Sequence, residues 1–285
     1  MGNDPRAVLV ALLDELGVKH FRLTIPWDRL EANRGQFTFA EIEWQLDEIK
    51  KRGGDAILAI GRRTPRWPEC HDPAWLKAIS PAEQDAATLN LIKTEVEKLK
   101  ERREIIAWQV ENEPLLRVFG RCERHSRKLW QSEVALARQL DGSRPVVTTE
   151  SGELSTWFGT APSVDALGIS IYHQTWNNWL GKIIYPLSPA FYRRRTEFTR
   201  ALFNKPVFVS ELQAEPWAGA ALTELSIDDQ LRLEDAPSLR RMADFAASTR
   251  LSPVYFWGAE WWYTLREQGQ PDVWETAKEI FKNRS

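Results

Sequence analysis

Two glutamates in this chain each stand at the end of an apolar run. Glu113 follows the run 105–112 (IIAWQVEN), and Glu211 closes the run 206–211 (PVFVSE). If both runs are parallel strands of one α/β barrel, both carboxylates lie on the face where such barrels carry their chemistry. Opposed carboxylates flanking a bond are what glycoside hydrolysis needs: one protonates the leaving oxygen, and the other attacks the anomeric carbon or activates water. Glu150 and Glu215 are the alternative carboxylates, Glu215 being the more serious because it lies four residues past Glu211. Taken singly, any glutamate at a strand end is better explained by a helix cap or an ion pair. The motif context of the pair tips the reading toward catalysis.

The elements that must hold these groups alternate along the chain. Strand-like runs occupy 18–25, 55–60, 105–112, 145–149, 165–172, 206–211 and 253–258, each nearly continuous in apolar residues, as strands buried on both faces are. Amphipathic helices fill most of the gaps. The first has Asn3 or Asp4 as its cap, Pro5 at its start and Gly17 past its end. Others carry apolar stripes at Leu89/Ile92/Val96/Leu99, Trp130/Val134/Ala137, Phe198/Leu202 and Trp274/Ala277/Ile280. The stretch after 145–149 is short and rich in Gly and Ser, so its helix is expected to be vestigial. The pattern predicts a single α/β domain over residues 1–285, of the TIM (β/α)8 type. It is an incomplete one: seven strands are recognisable, the first strand is absent, and the chain opens with a helix. Exposed strand edges left by that gap suggest a homodimer.

At this point the segments resemble a known superfamily. The segment 108–114 (WQVENEP) is similar to the acid/base strand of clan A glycoside hydrolases, the retaining (β/α)8 enzymes that include cellulases, mannanases and β-galactosidases. The segment 206–211 resembles their nucleophile strand, 21–27 (FRLTIPW) their second strand and 254–257 (VYFW) their eighth. Asn-Glu-Pro alone is a weak signal; Asn-Glu, then Glu, then Trp, in this order on successive strands, is a strong one. The resemblance implies Glu113 as general acid/base and Glu211 as nucleophile, with Asn112 on the sugar 2-hydroxyl. It further implies that Arg22 and Tyr172 donate to Glu211, and that Trp257 floors the reacting sugar. The function implied is retaining hydrolysis of β-linked glycosides without a cofactor, on an oligosaccharide or polysaccharide. The alternative is a non-catalytic carbohydrate-binding or degenerate barrel.

Aromatic residues on the loops at the same strand ends suggest sugar subsites: Trp67, Trp176, Trp217 and Trp261, with His173 as a further contact. Trp262 is expected to pack the loops, and Glu111 to serve structure. Fourteen tryptophans in 285 residues are well above ordinary usage, which gives this reading its weight.

Composition removes other classes. With 38 basic and 40 acidic side chains there is no electrostatic reason to expect nucleic acid or an anionic membrane. No apolar run approaches the ~18–20 residues that span a bilayer. The four histidines (20, 71, 125 and 173) show neither His-x-His nor His-Glu-x-x-His, so no metal is expected. There is no Gly-x-Ser-x-Gly elbow and no Walker loop. Two cysteines, Cys70 and Cys122, make no disulfide framework, and with no signal-peptide pattern at the start the default address is cytoplasmic.

Overall fold

A computed structural model describes residues 2–122, 126–177 and 179–284; His125 lies outside them. The strands are β1 (His20–Thr24), β2 (Asp55–Ile60), β3 (Ile105–Val110), β4 (Val146–Glu150), β5 (Ala166–Ile171), β6 (Gln174–Asn177), β7 (Gly181–Ile184), β8 (Val207–Gln213) and β9 (Val254–Trp257). The helices are α1 (Pro5–Asp14), α2 (Trp27–Leu30), α3 (Ala40–Lys51), α4 (Pro81–Leu99), α5 (Arg127–Leu140), α6 (Pro189–Phe203), α7 (Ile227–Leu233), α8 (Ala236–Thr249), α9 (Ala259–Glu267) and α10 (Asp272–Arg284). Among the described residues the main sheet runs β1-β2-β3-β4-β5-β8-β9. It is an α/β barrel of seven parallel strands with an unsealed seam, and the chain does open with a helix.

The chain divides into two compact units, one of residues His20–Gly168 and Thr199–Val207, the other of the remainder. In the first, β1 pairs with β2 in register from His20↔Asp55 to Thr24↔Ala59, and β2 with β3 up to Ile60↔Val110. Helix α4 starts at a capping box in which Ser80 and Glu83 satisfy each other's backbone N–H. Its buried face carries Leu91, Ile92, Val96 and Leu99 against α5. Each such side chain taken from water contributes about 1.5–3 kcal/mol. In the second unit Asp4 caps α1 through the Arg6 amide, and Asn3 donates to Thr264 Oγ1 at 2.6 Å, tying α1 to α9. Helix α10 packs on α8 and α9.

Several expectations change here. Phe198 and Leu202 are each 54% exposed; the buried face of α6 is instead Tyr192, Thr196 and Thr199. Two threonines on that face hid it from a search for apolar spacing. The segment 174–184 holds a two-stranded antiparallel hairpin, β6 with β7, which the sequence reading passes over. The stretch after β4 keeps only the short turn Ala161–Ser163, as expected. Cys70 and Cys122 form a disulfide after all, joining the loop after β2 to the loop after β3. Much of the tryptophan excess is core: Trp27, Trp108, Trp130, Trp157, Trp261, Trp262 and Trp274 are each at most 1% exposed.

Candidate active-site residues

The residues around Glu113 come from the ends of β1, β2, β3 and β4. The chain turns sharply after β3, with Glu111 at φ 62° and Glu113 at φ 45°. Left-handed backbone at two non-glycine residues out of three is costly, and it persists only where surrounding bonds enforce it. Those bonds are present. The Glu111 carboxylate accepts from the Arg62 amide at 2.7 Å and the Arg63 amide at 2.6 Å. Asn112 N–H donates to Arg63 O at 2.6 Å, and Glu113 N–H to Thr149 Oγ1 at 3.0 Å. The Arg63 guanidinium, 2% exposed, donates to Glu113 O and Leu116 O and pairs with Glu69.

Asn112 is buried, and its Oδ1 accepts from Arg22 Nη2 at 2.7 Å and Thr149 Oγ1 at 2.8 Å. With its oxygen occupied on this side, the Asn112 amide is fixed with its NH2 directed elsewhere. Arg22 also donates to Gln109 Oε1 at 2.6 Å. Gln109 was missed in the sequence, although a lone amide inside an apolar strand is a usable signal. Trp67 is 61% exposed, with the Arg121 guanidinium 5.2 Å from its ring centroid. Glu150 is buried and accepts from Thr160 at 2.7 Å, a bond that ties β4 to the turn following it.

Glu211 belongs to the other unit. Glu211 is partly exposed on β8, and Tyr172, at the end of β5, donates its hydroxyl to Glu211 Oε2 at 3.0 Å. The Tyr172 ring meets Trp217 edge-on, centroids 5.1 Å apart. Trp257 is partly exposed at the end of β9 and donates its indole N–H to Glu215 Oε1 at 2.8 Å. Glu215 therefore serves in part to hold an aromatic side chain. Trp176, 37% exposed, lies over Gly219, where a Cβ would collide with the indole. Gln213 braces the segment after β5, accepting from the His173 and Gln174 amides and donating to Gln174 O.

His173 Nε2 lies 3.9 Å from the Glu234 carboxylate. Burial, then the charges of Lys182 and Arg241, hold the His173 imidazole below its ordinary value. Burial, then Asp235, push Glu234 up to about 8.

The expectation for Trp261 is corrected. It is fully buried on α9 and donates to Gln230 Oε1 at 2.8 Å, so neither face is open to a sugar. Trp262, also buried, donates to Ala214 O at 2.7 Å and packs the loop after β8 as expected. No group of three or more His, Cys, Asp or Glu side chains suited to a metal ion occurs among the described residues. Among the described residues no helix is long and apolar enough to cross a membrane.

The fold is that of TIM-barrel glycosidases. The GH5_18 protein of Bifidobacterium longum subsp. longum matches at TM-score 0.68 and 15% identity, over 99% of this chain and 75% of that one. Xylanase 10B of Thermotoga maritima matches at TM-score 0.57 and 16% identity, over 92% and 88%. The β-galactosidase of Marinomonas ef1 matches at TM-score 0.61 and 13% identity, and the chain spans about half of its length, 52%. No protein-family model matches the sequence, and no curated protein matches it.

Proposed function

We propose that this chain, folded as TIM-barrel glycosidases are, is a retaining glycoside hydrolase acting on β-linked sugars. The observation that carries the reading is the placement of the two motif carboxylates. Glu113 follows β3 and Glu211 lies on β8, each with the polar neighbours such chemistry uses: Asn112 clamped by Arg22 and Thr149, and Glu211 bonded by Tyr172.

In the first step Glu113, protonated, gives its proton to the glycosidic oxygen while Glu211 attacks the anomeric carbon. The aglycone leaves and a glycosyl ester forms on Glu211. In the second step Glu113, now a carboxylate, takes a proton from water, whose oxygen displaces Glu211 and releases the sugar. Asn112 holds the 2-hydroxyl through both transition states, and Trp257 lies under the ring. Retention requires the two carboxyl groups ~5–5.5 Å apart. The substrate class is a β-linked oligosaccharide or polysaccharide. One relative of the same fold, the GH5_18 protein, is solved as a variant with Manβ1-4GlcNAc, so that disaccharide belongs in any substrate panel.

The disulfide bears on where this takes place. Bridges persist in oxidising surroundings and are rare in the cytosol, so we favour an oxidising compartment over the cytoplasmic default.

The test is hydrolysis of a panel of aryl β-glycosides (glucoside, galactoside, mannoside, xyloside, cellobioside) and Manβ1-4GlcNAc by wild type and by Glu211→Ala. Turnover that disappears in the variant and returns with azide as an external nucleophile, giving the inverted glycosyl azide, is the expected result. A folded wild type that binds oligosaccharides and turns none over makes the chain a binding barrel instead.

A further inference from the structure

Behind the Glu113 corner lies a group of three buried carboxyls that the proposed mechanism does not use. Glu111 follows β3, Glu95 is on α4 and Glu133 on α5, and all three are 0% exposed. The Gly61 amide donates to Glu95 Oε2 at 3.0 Å, so the amides of Gly61, Arg62 and Arg63 are each held by this group. Glu133 neighbours Glu111, and two charged carboxylates are not tolerated side by side in a buried setting, so one of the pair carries a proton. Both Glu133 oxygens and Glu95 Oε1 lack a donor among the described residues. Gly61 sits at φ 102°, and a Cβ there would overlap Glu111 Oε1. The contact between the turn and the carboxylate is therefore direct.

We propose that Glu111 is a positioning residue for Glu113: its carboxylate, with Glu133 beside it, anchors the Gly61–Arg63 turn, and Arg63 in turn holds the backbone of Asn112, Glu113 and Leu116. The route is continuous. Glu111 accepts from the Arg63 amide, Arg63 O accepts from the Asn112 amide, and the Arg63 guanidinium donates to Glu113 O at 2.8 Å and Leu116 O at 2.6 Å. This deepens the hydrolase reading and rests on it for the word catalysis; the anchoring itself does not.

The anchor is charge-dependent. A carboxylate accepts at both oxygens, as the Arg62 and Arg63 amides require, whereas a protonated Glu111 turns an O–H toward one of them. Burial pushes Glu111 up to about 7 against the pull of the two amides and the Arg62 charge. Burial and Glu111 push Glu133 well above its ordinary value, and burial does the same for Glu95. The charged groups facing the cluster are Arg62, itself forked to Asp72, and Asp85 on α4. Glu111 thus ionises first, and Glu133 keeps the proton.

The experiment combines hydrogen-exchange protection of the 61–63 and 111–113 amides with the pH profile of kcat/KM, in wild type, Glu111→Gln, Glu133→Gln and Glu133→Leu. Gln at 111 accepts at one atom only, so protection falls about 100-fold. With the acid ~1 Å out of place, kcat falls on the order of 100-fold while KM stays within about threefold. Gln at 133 keeps a neutral polar group beside Glu111 and the wild-type limb near pH 7. Leu at 133 removes that group and moves that limb, and the pH dependence of protection, upward by about one unit. Wild-type protection in Glu111→Gln, or a Glu133→Leu profile superimposing on wild type, overturns the proposal. Where Glu111→Gln does not fold, the Glu133 pair decides. If no glycoside is turned over, the hydrolase reading fails by itself and the protection factors still decide the anchoring.

Discussion

Removing the Cys70–Cys122 bridge should cost stability while leaving the loops it joins in place. The bridge closes a segment of 52 residues that contains α4 and β3. Chain-entropy loss for such a loop is about 2.1 + 1.5R ln 52, or ~14 cal/mol/K, which is about 4 kcal/mol at 298 K. For a chain of this size that corresponds to a fall in Tm of roughly 7 °C. The folded state has other ties between the same loops. Arg121 N–H donates to Pro68 O at 2.9 Å, Arg63 Nη2 to Phe119 O at 3.0 Å, and Arg121 stacks on Trp67. The effect is therefore expected in the unfolded ensemble rather than in the native loops. The assay is urea and thermal unfolding of Cys70→Ser/Cys122→Ser beside wild type with and without reductant, with exchange protection at Arg121 as the native-state reporter. A lower midpoint with unchanged protection is expected. A midpoint shift below about 1 kcal/mol, or collapse of Arg121 protection at temperatures where the rest of the protein stays folded, refutes the reasoning.

Three further outcomes follow from single contacts. Tyr172→Phe deletes one hydroxyl from Glu211 and keeps the ring against Trp217; a bond to a charged group is worth ~1.5–3 kcal/mol, so kcat/KM should fall roughly ten- to hundredfold with Tm unchanged, and an unaltered rate would dismiss the contact as incidental. Glu234, ionising at about 8 when folded against 4.5 ordinarily, keeps its proton on folding, so it weakens the fold as pH rises through that window; Glu234→Gln should flatten the fall in Tm between pH 5 and 9, and equal slopes would contradict it. Asp141 is buried, yet bonds from Ser143, Trp108 and Arg144 hold it below 3.8, so its stabilisation is present at neutral pH and lost on acidification; Asp141→Asn should lower stability at pH 7 by about 1–3 kcal/mol and reduce the acid sensitivity of the melt.

Strands were the most readable part of this chain because burial on both faces writes continuous apolar runs, and the runs at 55–60 and 165–172 match β2 and β5 within a residue or so. The candidate site residues stand out for the same reason, each being a polar group at the end of such a run: Asn112, Glu113, Glu211 and Tyr172. What the sequence hid were partners that look like solvent-facing charge. Glu95 and Glu133 sit on amphipathic helices, but each falls on the apolar stripe, beside Ile92/Val96/Leu99 and Trp130/Val134/Ala137, and points inward. The hairpin of β6 and β7 is too short for alternation to register. The cysteine pair depends on two loops meeting across neighbouring strands, which spacing along the chain does not encode. Trp261 misled because a tryptophan just past a strand reads as loop, whereas it lies in the first turn of α9.

Gly61 has a consequence for how this protein can be altered. Position 61 has room for a hydrogen and nothing more while residue 111 carries a full-length carboxylate. Any side chain at 61 demands a shorter residue at 111, and a shorter residue at 111 abandons the amides of 62 and 63 unless the turn is rebuilt. A library that varies the β2 loop one residue at a time will find this position closed. Productive variants have to come as blocks that exchange the 61–63 turn and the end of β3 together, so the two segments form a single exchangeable module despite the whole of α4 lying between them in the chain.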